Sequence, residues 1–335
     1  QLFPYTRSPI YKAAVDAWRR PESASPVVAQ WTMAAVRLQL ALVYLFAGVA
    51  KLQADWLFRA MPLKIWLSAH AEFPLIGGLF DHAAMAYAMS WGGLFYDLTI
   101  PFLLLHPRTR RLSFVAVIGF HVMTRLLFPI GMFPAIMVGC TLVFFPAEDF
   151  ARVGRWFKLP ARRQTTTLSP GRAQLHPVMA GSLALFFAIQ IVLPLRHWLY
   201  PGNLLWTEEG FRYAWHVMVA EKTGHVTFYV DDPVRDIEFP VFVTDYLTDA
   251  QARQMAYQPD MILEFAHYLQ TDLRNQGIPD AAVRAEAYVS LNGRPSQLLI
   301  DPTVDLTKET NSIWPKPWIL PLADDPPRHQ LASFN

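Results

Sequence analysis

Four stretches of this chain stay apolar for longer than a soluble core helix needs. They are Trp31–Val49, Ala83–Leu105, Leu112–Phe145 and Val178–Leu199, and a helix of roughly 20 such residues crosses a bilayer. The third is too long for one span, and Arg125, Pro129 and Gly131 interrupt it. Two helices joined by a tight turn near Phe128–Gly131 fit it better, which predicts five spans. Composition agrees. Of 335 residues, 53% are hydrophobic and 17% charged, where soluble domains carry roughly 25% charged residues. Disorder, collagen and coiled coil are excluded by the same figures, and the lengths disfavour a soluble domain of buried helices.

The net charge of +2 conceals a division. Up to residue 199 the chain carries 19 Lys and Arg against 8 Asp and Glu, and beyond it 10 against 19. Within the first part, basic residues gather on alternate loops: Arg7, Lys12, Arg19 and Arg20, then Arg108, Arg110 and Arg111, then Arg152, Arg155, Lys158, Arg162, Arg163 and Arg172. The positive-inside rule puts these loops in the cytoplasm and the acidic remainder outside, in a periplasm or lumen. Interleaving with spans makes them topology signals, so no nucleic-acid partner is expected. A bacterial inner membrane and the endoplasmic reticulum both suit this arrangement. No charged leader with a cleavage site precedes the first apolar run, so the chain reads as an internal piece of a longer one. Cys140 is the single cysteine, which excludes an intrachain disulfide and a thiolate metal cluster.

Past Pro201 the pattern changes. His225–Val230 and Ala287–Ile300 alternate like strands, and Asn292-Gly293 suits a type I′ hairpin turn. Met261–Leu273 repeats at helical spacing, and Trp314, Pro315, Pro317, Trp318 and Pro321 suggest an irregular covering segment. The expected fold is an α-helical multi-pass membrane bundle over 1–199, followed by a small extracytoplasmic α+β module over 200–335.

No phosphate loop, zinc-binding HExxH, nucleophile elbow or cysteine pair occurs, and no metal is expected. Ionisable residues at membrane depth stand out instead, because each costs on the order of 2.5–3.5 kcal/mol to insert. Lys51 closes the first span beside Asp55 and Trp56. It reads either as a snorkelling interface lysine or as a partly desolvated amine whose neutral form serves as a base. His121 and Arg125, four apart in the third span, share a helix face that is expected to point inward. His121 fits an interhelical hydrogen bond or a catalytic part equally well. Asp97, next to Gly92-Gly93, reads as the partner of a basic residue or as a catalytic acid.

The run Ala47-Gly48-Val49-Ala50-Lys51-Leu52-Gln53-Ala54-Asp55-Trp56 resembles the A-G-V-x-K-L-x-A-D-W of the vitamin K-dependent gamma-carboxylase family. Three more blocks follow in order. Phe120-His121-x-Met123 continues to Leu127-Phe128-Pro129-Ile130-Gly131-Met132-Phe133, Trp206-Thr207 runs through Gly210, Tyr213, Trp215 and Met218, and Val289-Ser290-Leu291-Asn292-Gly293-Arg294 precedes Ile300-Asp301-Pro302-x-Val304-Asp305. The helical part also resembles the HTTM class.

The resemblance implies an enzyme that converts peptidyl glutamate to gamma-carboxyglutamate with reduced vitamin K (a naphthohydroquinone), dioxygen and carbon dioxide, releasing the quinone epoxide. The lysine matching Lys51 is the family's base, and His121 is the candidate stabiliser of an oxyanion. Asp55, Trp56, Asp97, Arg125, Trp206, Tyr213, Trp215, Asn292 and Arg294 are the candidate pocket residues. The implied partners are membrane lipid, a lipophilic quinone and a glutamate-containing peptide. The chain departs from the family pattern in places. No histidine in Gln1–Arg20 matches the one the family carries before its lysine motif, and Ala50 stands where animal members carry a second lysine. The chain also ends at Asn335, short of the animal substrate-holding regions. These departures favour the quinol-oxygenating half over peptide carboxylation, and leave a same-fold oxygenase or a scaffold or transport-type protein as alternatives.

Overall fold

A computed structural model describes residues 30–156 and 176–323. Packing divides the chain into two units, residues 1–39 with 142–184, and residues 40–141 with 185–335. Everything that follows on the site belongs to the second.

The helices are α1 (Gln30–Ala50), α2 (Ala54–Arg59), α3 (Leu63–Ser68), α4 (Gly77–Phe80), α5 (Ala83–Leu105), α6 (Arg110–Leu127), α7 (Phe133–Thr141), α8 (Ala147–Trp156) and α9 (Pro177–Leu195), the last continued by a 3-10 turn over Arg196–Leu199. Among the described residues three helices are long and apolar enough to cross a membrane: Gln30–Ala50, Ala83–Leu105 and Pro177–Leu199. The expected count of five is corrected to three, or four if Phe133–Phe144 and Ala147–Trp156 form one broken span. The long third stretch does break where predicted, with Gly131 at φ +60° between α6 and α7. Its two pieces fail as independent spans for different reasons. Helix α6 carries Arg110, Arg111 and Arg125. The nine residues of α7 rise only about 14 Å at 1.5 Å each, about half the hydrocarbon thickness.

A short helix, α10 (Leu204–Thr207), leads into the C-terminal region, where β1 (Lys222–Asp232), β2 (Ile237–Val241), α11 (Asp249–Met255), α12 (Pro259–Asn275), β3 (Ala282–Leu291) and β4 (Gln297–Leu298) follow. The sheet is antiparallel in the order β2-β1-β3-β4. Alternation along β3 buries Val283, Ala285, Ala287, Val289 and Leu291, and α12 covers that face with Ile262, Phe265, Ala266 and Leu269, as its helical spacing predicts. The Trp314–Pro321 stretch is irregular apart from a bridge between Ile300 and Ile319. One apolar core runs without interruption from Ala50, Trp56 and Leu63 into the sheet residues Val226 and Phe228. The predicted turn is present, with Asn292 at φ +50°, Gly293 at φ +74° and the Arg294 amide bonded to the Leu291 carbonyl. The return strand predicted to run to Ile300 is reduced to the two residues of β4, which rejoin the ladder at Val289↔Gln297 and Tyr288↔Leu298.

Candidate functional site

The site forms where α1 and α5 pass closely. A Cβ on Gly48 would lie 2.6 Å from Leu98 Cδ2 and 3.2 Å from the Leu98 amide nitrogen, so only glycine admits this approach. One turn beyond, Lys51 is 6% exposed. Its Nζ donates to Asp97 Oδ2 at 2.7 Å and to the Ala47 carbonyl at 3.1 Å, and lies 5.3 Å from the centroid of the Trp56 ring. The amine read from the sequence as partly desolvated is therefore also ion-paired, because Asp97 approaches it from α5.

Trp56 is bolted to the same helix. Its indole nitrogen donates to the Ser90 carbonyl at 2.8 Å, and Ser90 Oγ donates back to the Trp56 carbonyl at 2.5 Å. Gly93 faces both side chains, and a Cβ there would make only ordinary contact with them, at 3.7 Å from Trp56 and 4.0 Å from Lys51 Cε.

Lys51, Trp56, Asp97 and His121 line one cavity of about 100 Å³, where a single water needs on the order of 10–15 Å³. The remaining wall is aromatic and apolar, with Tyr44, Trp66, Phe120, Phe128 and Phe133, and four methionines, Met89, Met123, Met137 and Met218. Flexible thioethers let such a wall change shape. His121 is 3% exposed. Its Nε2 lies 3.3 Å from the Tyr44 hydroxyl, and its Nδ1 has no hydrogen-bond partner among the described residues. If the Tyr44 hydroxyl donates to Nε2, Nδ1 carries the ring proton and is left as a donor.

Arg125 is exposed and does not line this cavity, which corrects its expected inward direction. The buried stripe of α6 is Ser113, Val117, His121, Thr124 and Leu127. It follows the three-residue step after His121, and a four-residue step runs about 40° the other way.

Four residues past Lys51, Asp55 is equally buried at 6% exposure. Arg294 grips it with two donors, Nη1 to Oδ2 at 2.6 Å and Nη2 to Oδ1 at 2.9 Å. Asn292 Nδ2 donates to Oδ2 at 2.9 Å, and Arg59 adds a contact at 3.3 Å. Burial alone raises the carboxyl pKa, but the hydrogen bonds from Arg294 and Asn292 and the two guanidinium charges outweigh it and hold Asp55 below the ordinary aspartate value. Asn292, itself fully buried, also clasps the Glu221 backbone, accepting from its amide at 2.8 Å and donating to its carbonyl at 2.9 Å. The Glu221 carboxylate in turn accepts from the Trp66 indole at 2.6 Å. The turn therefore reaches the cavity wall through two residues that the sequence did not single out.

Two family models match the chain. Residues 6–149 match the HTTM domain, and residues 175–325 match the lumenal domain of vitamin K-dependent gamma-carboxylase. The chain belongs to the vitamin K-dependent gamma-carboxylase family. No solved structure matches it.

In family terms, Lys51, Asp55, Trp56, Asp97 and His121 come from the HTTM domain, and Asn292 and Arg294 from the lumenal domain. The Asp55–Arg294 pair joins the two domains through residues 239 apart in sequence. The other candidates of the lumenal domain lie off the cavity. Trp206 is a core residue, fully buried, with its indole nitrogen bonded to the Leu320 carbonyl at 2.7 Å. Tyr213 is 76% exposed. Trp215 adopts φ +58° in a loop where Glu208, Tyr213 and Met218 are also left-handed. That loop does reach the cavity, through Val217 and Met218. Just before them His216 is half-buried, its pKa pushed down to about 4 by burial and by neighbouring His197, whose ring centroid is 5.1 Å away. Tyr44 and Trp66 were missed at the sequence level. Tyr44 had a usable signal, because Tyr44, Ala47 and Lys51 follow the three- and seven-residue spacing of one helix face.

Proposed function

We propose that this protein is an integral membrane gamma-carboxylase-like enzyme that oxygenates a reduced naphthoquinone to its epoxide and couples this to carboxylation of peptidyl glutamate. The observation that carries the reading is a buried Lys51–Asp97 pair facing a largely apolar cavity that His121 also lines, its Nδ1 without a partner among the described residues. A structural ion pair alone would not need the void or the orphaned imidazole.

The lining suits a naphthohydroquinone in chemistry, and the cavity of about 100 Å³ must widen to admit it, since benzene alone occupies a cavity of roughly 150 Å³. Trp56, Trp66, Phe120 and Phe133 offer ring faces, and His121 Nδ1–H and Lys51 offer polar ends. When bound, the hydroquinone supplies the reducing equivalents for dioxygen and the hydroxyl proton that a base must remove. Lys51 Nζ is the base. Moving its own proton onto Asp97 Oδ2, 2.7 Å away, leaves an amine and a carboxylic acid with no change in net charge. In a water-poor site that transfer is far less costly than releasing the proton to solvent. Nζ then accepts a proton from a bound hydroxyl, Asp97 holds the first, and Trp56 fixes the stem of the lysine. His121, steadied by Tyr44, donates to the oxygen on which negative charge develops.

A narrower reading, quinol oxygenation without peptide carboxylation, has one observation in its favour. Arg294 and Asn292, the groups best suited to hold a glutamyl carboxylate, already hold Asp55. The test uses the whole chain in lipid nanodiscs with reduced naphthoquinone, dioxygen, labelled carbon dioxide and a glutamate peptide. Epoxide together with label in the peptide is the expected outcome. Epoxide alone selects the narrower reading, and neither product overturns both.

A further inference from the structure

The matched lumenal domain carries an apolar surface that the site does not use. Ile313 and Trp314 are 78% and 72% exposed, Tyr213 is 76% exposed, and Trp198 and Leu199 at the end of the last apolar helix are 68% and 82% exposed. Three separate segments supply these side chains, and specific contacts tie the segments together. The Tyr200 hydroxyl donates to the Ile313 carbonyl at 2.7 Å. The Arg196 guanidinium donates to the Arg212 carbonyl. Gly210, at φ +76°, presses on His197 so closely that a Cβ would lie 2.8 Å from the His197 Cα.

We propose that Trp198, Leu199, Tyr213, Ile313 and Trp314 form one patch that docks the lumenal domain on the bilayer surface, at the boundary between headgroups and acyl chains. The occupant follows from chemistry and continuity. The patch begins at Leu199, the last residue of the apolar helix Pro177–Leu199, so its height is that of the membrane boundary. Tryptophan and tyrosine concentrate at that level because one end of each ring system is apolar and the other polar. A contiguous cluster of bulky apolar groups is costly to leave in water and marks an interaction surface. Arg196 and Arg212 flank the patch, and the apolar stem and charged head of arginine suit the same boundary. Docking also fixes the cavity roof, because Tyr213 shares a loop with Val217 and Met218.

This inference rests on the membrane reading of the long helices, and the experiment separates the two. In a Cys140→Ser background, single cysteines are introduced as Ile313→Cys, Leu185→Cys and Val234→Cys. Each is labelled with an environment-sensitive fluorophore and reconstituted in nanodiscs that contain brominated phosphatidylcholine. Leu185 and Val234 are both exposed, at 63% and 68%, the first within the apolar helix and the second after β1. The proposal expects a blue-shifted label at position 313 that loses most of its fluorescence to the bromine, as at 185, with 234 unquenched. Quenching at 185 but not at 313 overturns the docking patch alone. No quenching at 185 overturns the membrane reading, and the patch with it. A Trp314→Ser variant that abolishes quenching at 313 without changing 185 supports docking through this surface.

Discussion

Lys51 and Asp55 are four residues apart, equally buried and each joined to an opposite charge, yet they differ in what surrounds the pair. Asp55 receives two donors from Arg294, one from Asn292 and one from Arg59, so its oxygens are saturated. Lys51 has one carboxylate and one carbonyl, and beside the pair lies a cavity with an unpartnered imidazole nitrogen. A charge with every donor and acceptor used resists any change of protonation and fastens structure. A charge pair left beside a void keeps a proton that can move. The first pair holds the two domains together, and the second is where chemistry is expected.

That contrast breaks most visibly at the fastener. Arg294→Ala leaves buried Asp55 with only Asn292 and the more distant, half-exposed Arg59, which should cost up to roughly 3–5 kcal/mol, read as a large fall in Tm in nanodiscs. The double variant Asp55→Ala with Arg294→Ala should recover part of that loss, because neither charge is then stranded. Singles that cost no more than an exposed pair would erase the distinction. Asp97→Asn should behave in the opposite sense. It keeps an acceptor for Lys51 but cannot take up the lysine's proton, so epoxide formation should drop by roughly 10² or more with a smaller change in Tm than Arg294→Ala. Gly48→Ala should cost about 1–3 kcal/mol through crowding against Leu98, and should weaken the Lys51–Asp97 contact by pushing α1 from α5.

The sequence disclosed local elements well and partnerships poorly. Ala83–Leu105 was legible to the residue, the break before Phe133 followed from Pro129 and Gly131, and Met261–Leu273 lies within α12 because its burial repeats at 3.6 residues. Strand β2 escaped notice although Ile237, Phe239 and Val241 alternate with Glu238 and Pro240, because it is a five-residue edge strand and its proline argues against a ladder strand. The Lys51–Asp97 and Asp55–Arg294 pairs lie 46 and 239 residues apart, and no periodicity records such distances. The block resemblance marked Asn292 and Arg294 as important without saying that they face Asp55. Tyr213 and Trp215 looked like pocket aromatics, but left-handed backbone turns them away, and nothing local announces those φ values.

The smallest expected effect concerns pH. His216 titrates near 4 in the folded chain against an ordinary value of 6.5. Between those values the unfolded chain binds more protons, so stability should fall as pH drops through that window. His216→Gln should flatten the decline. Asp55 is depressed instead, so its contribution is present above the ordinary aspartate range and is lost only under stronger acid, as protonation releases Arg294. A decline confined to the window above 4 and insensitive to His216 would assign the effect to another group.

The most direct measurement of the central claim is the epoxide-forming rate of Lys51→Arg beside its Tm. Arginine keeps the charge and can pair with Asp97, but it does not surrender its proton at any working pH. The account predicts a folded, membrane-inserted protein with Tm near that of the parent and an epoxidation rate lower by roughly 10²–10⁴. A variant that retains most of the rate would contradict it, and would make Lys51–Asp97 a fastener of the same kind as Asp55–Arg294.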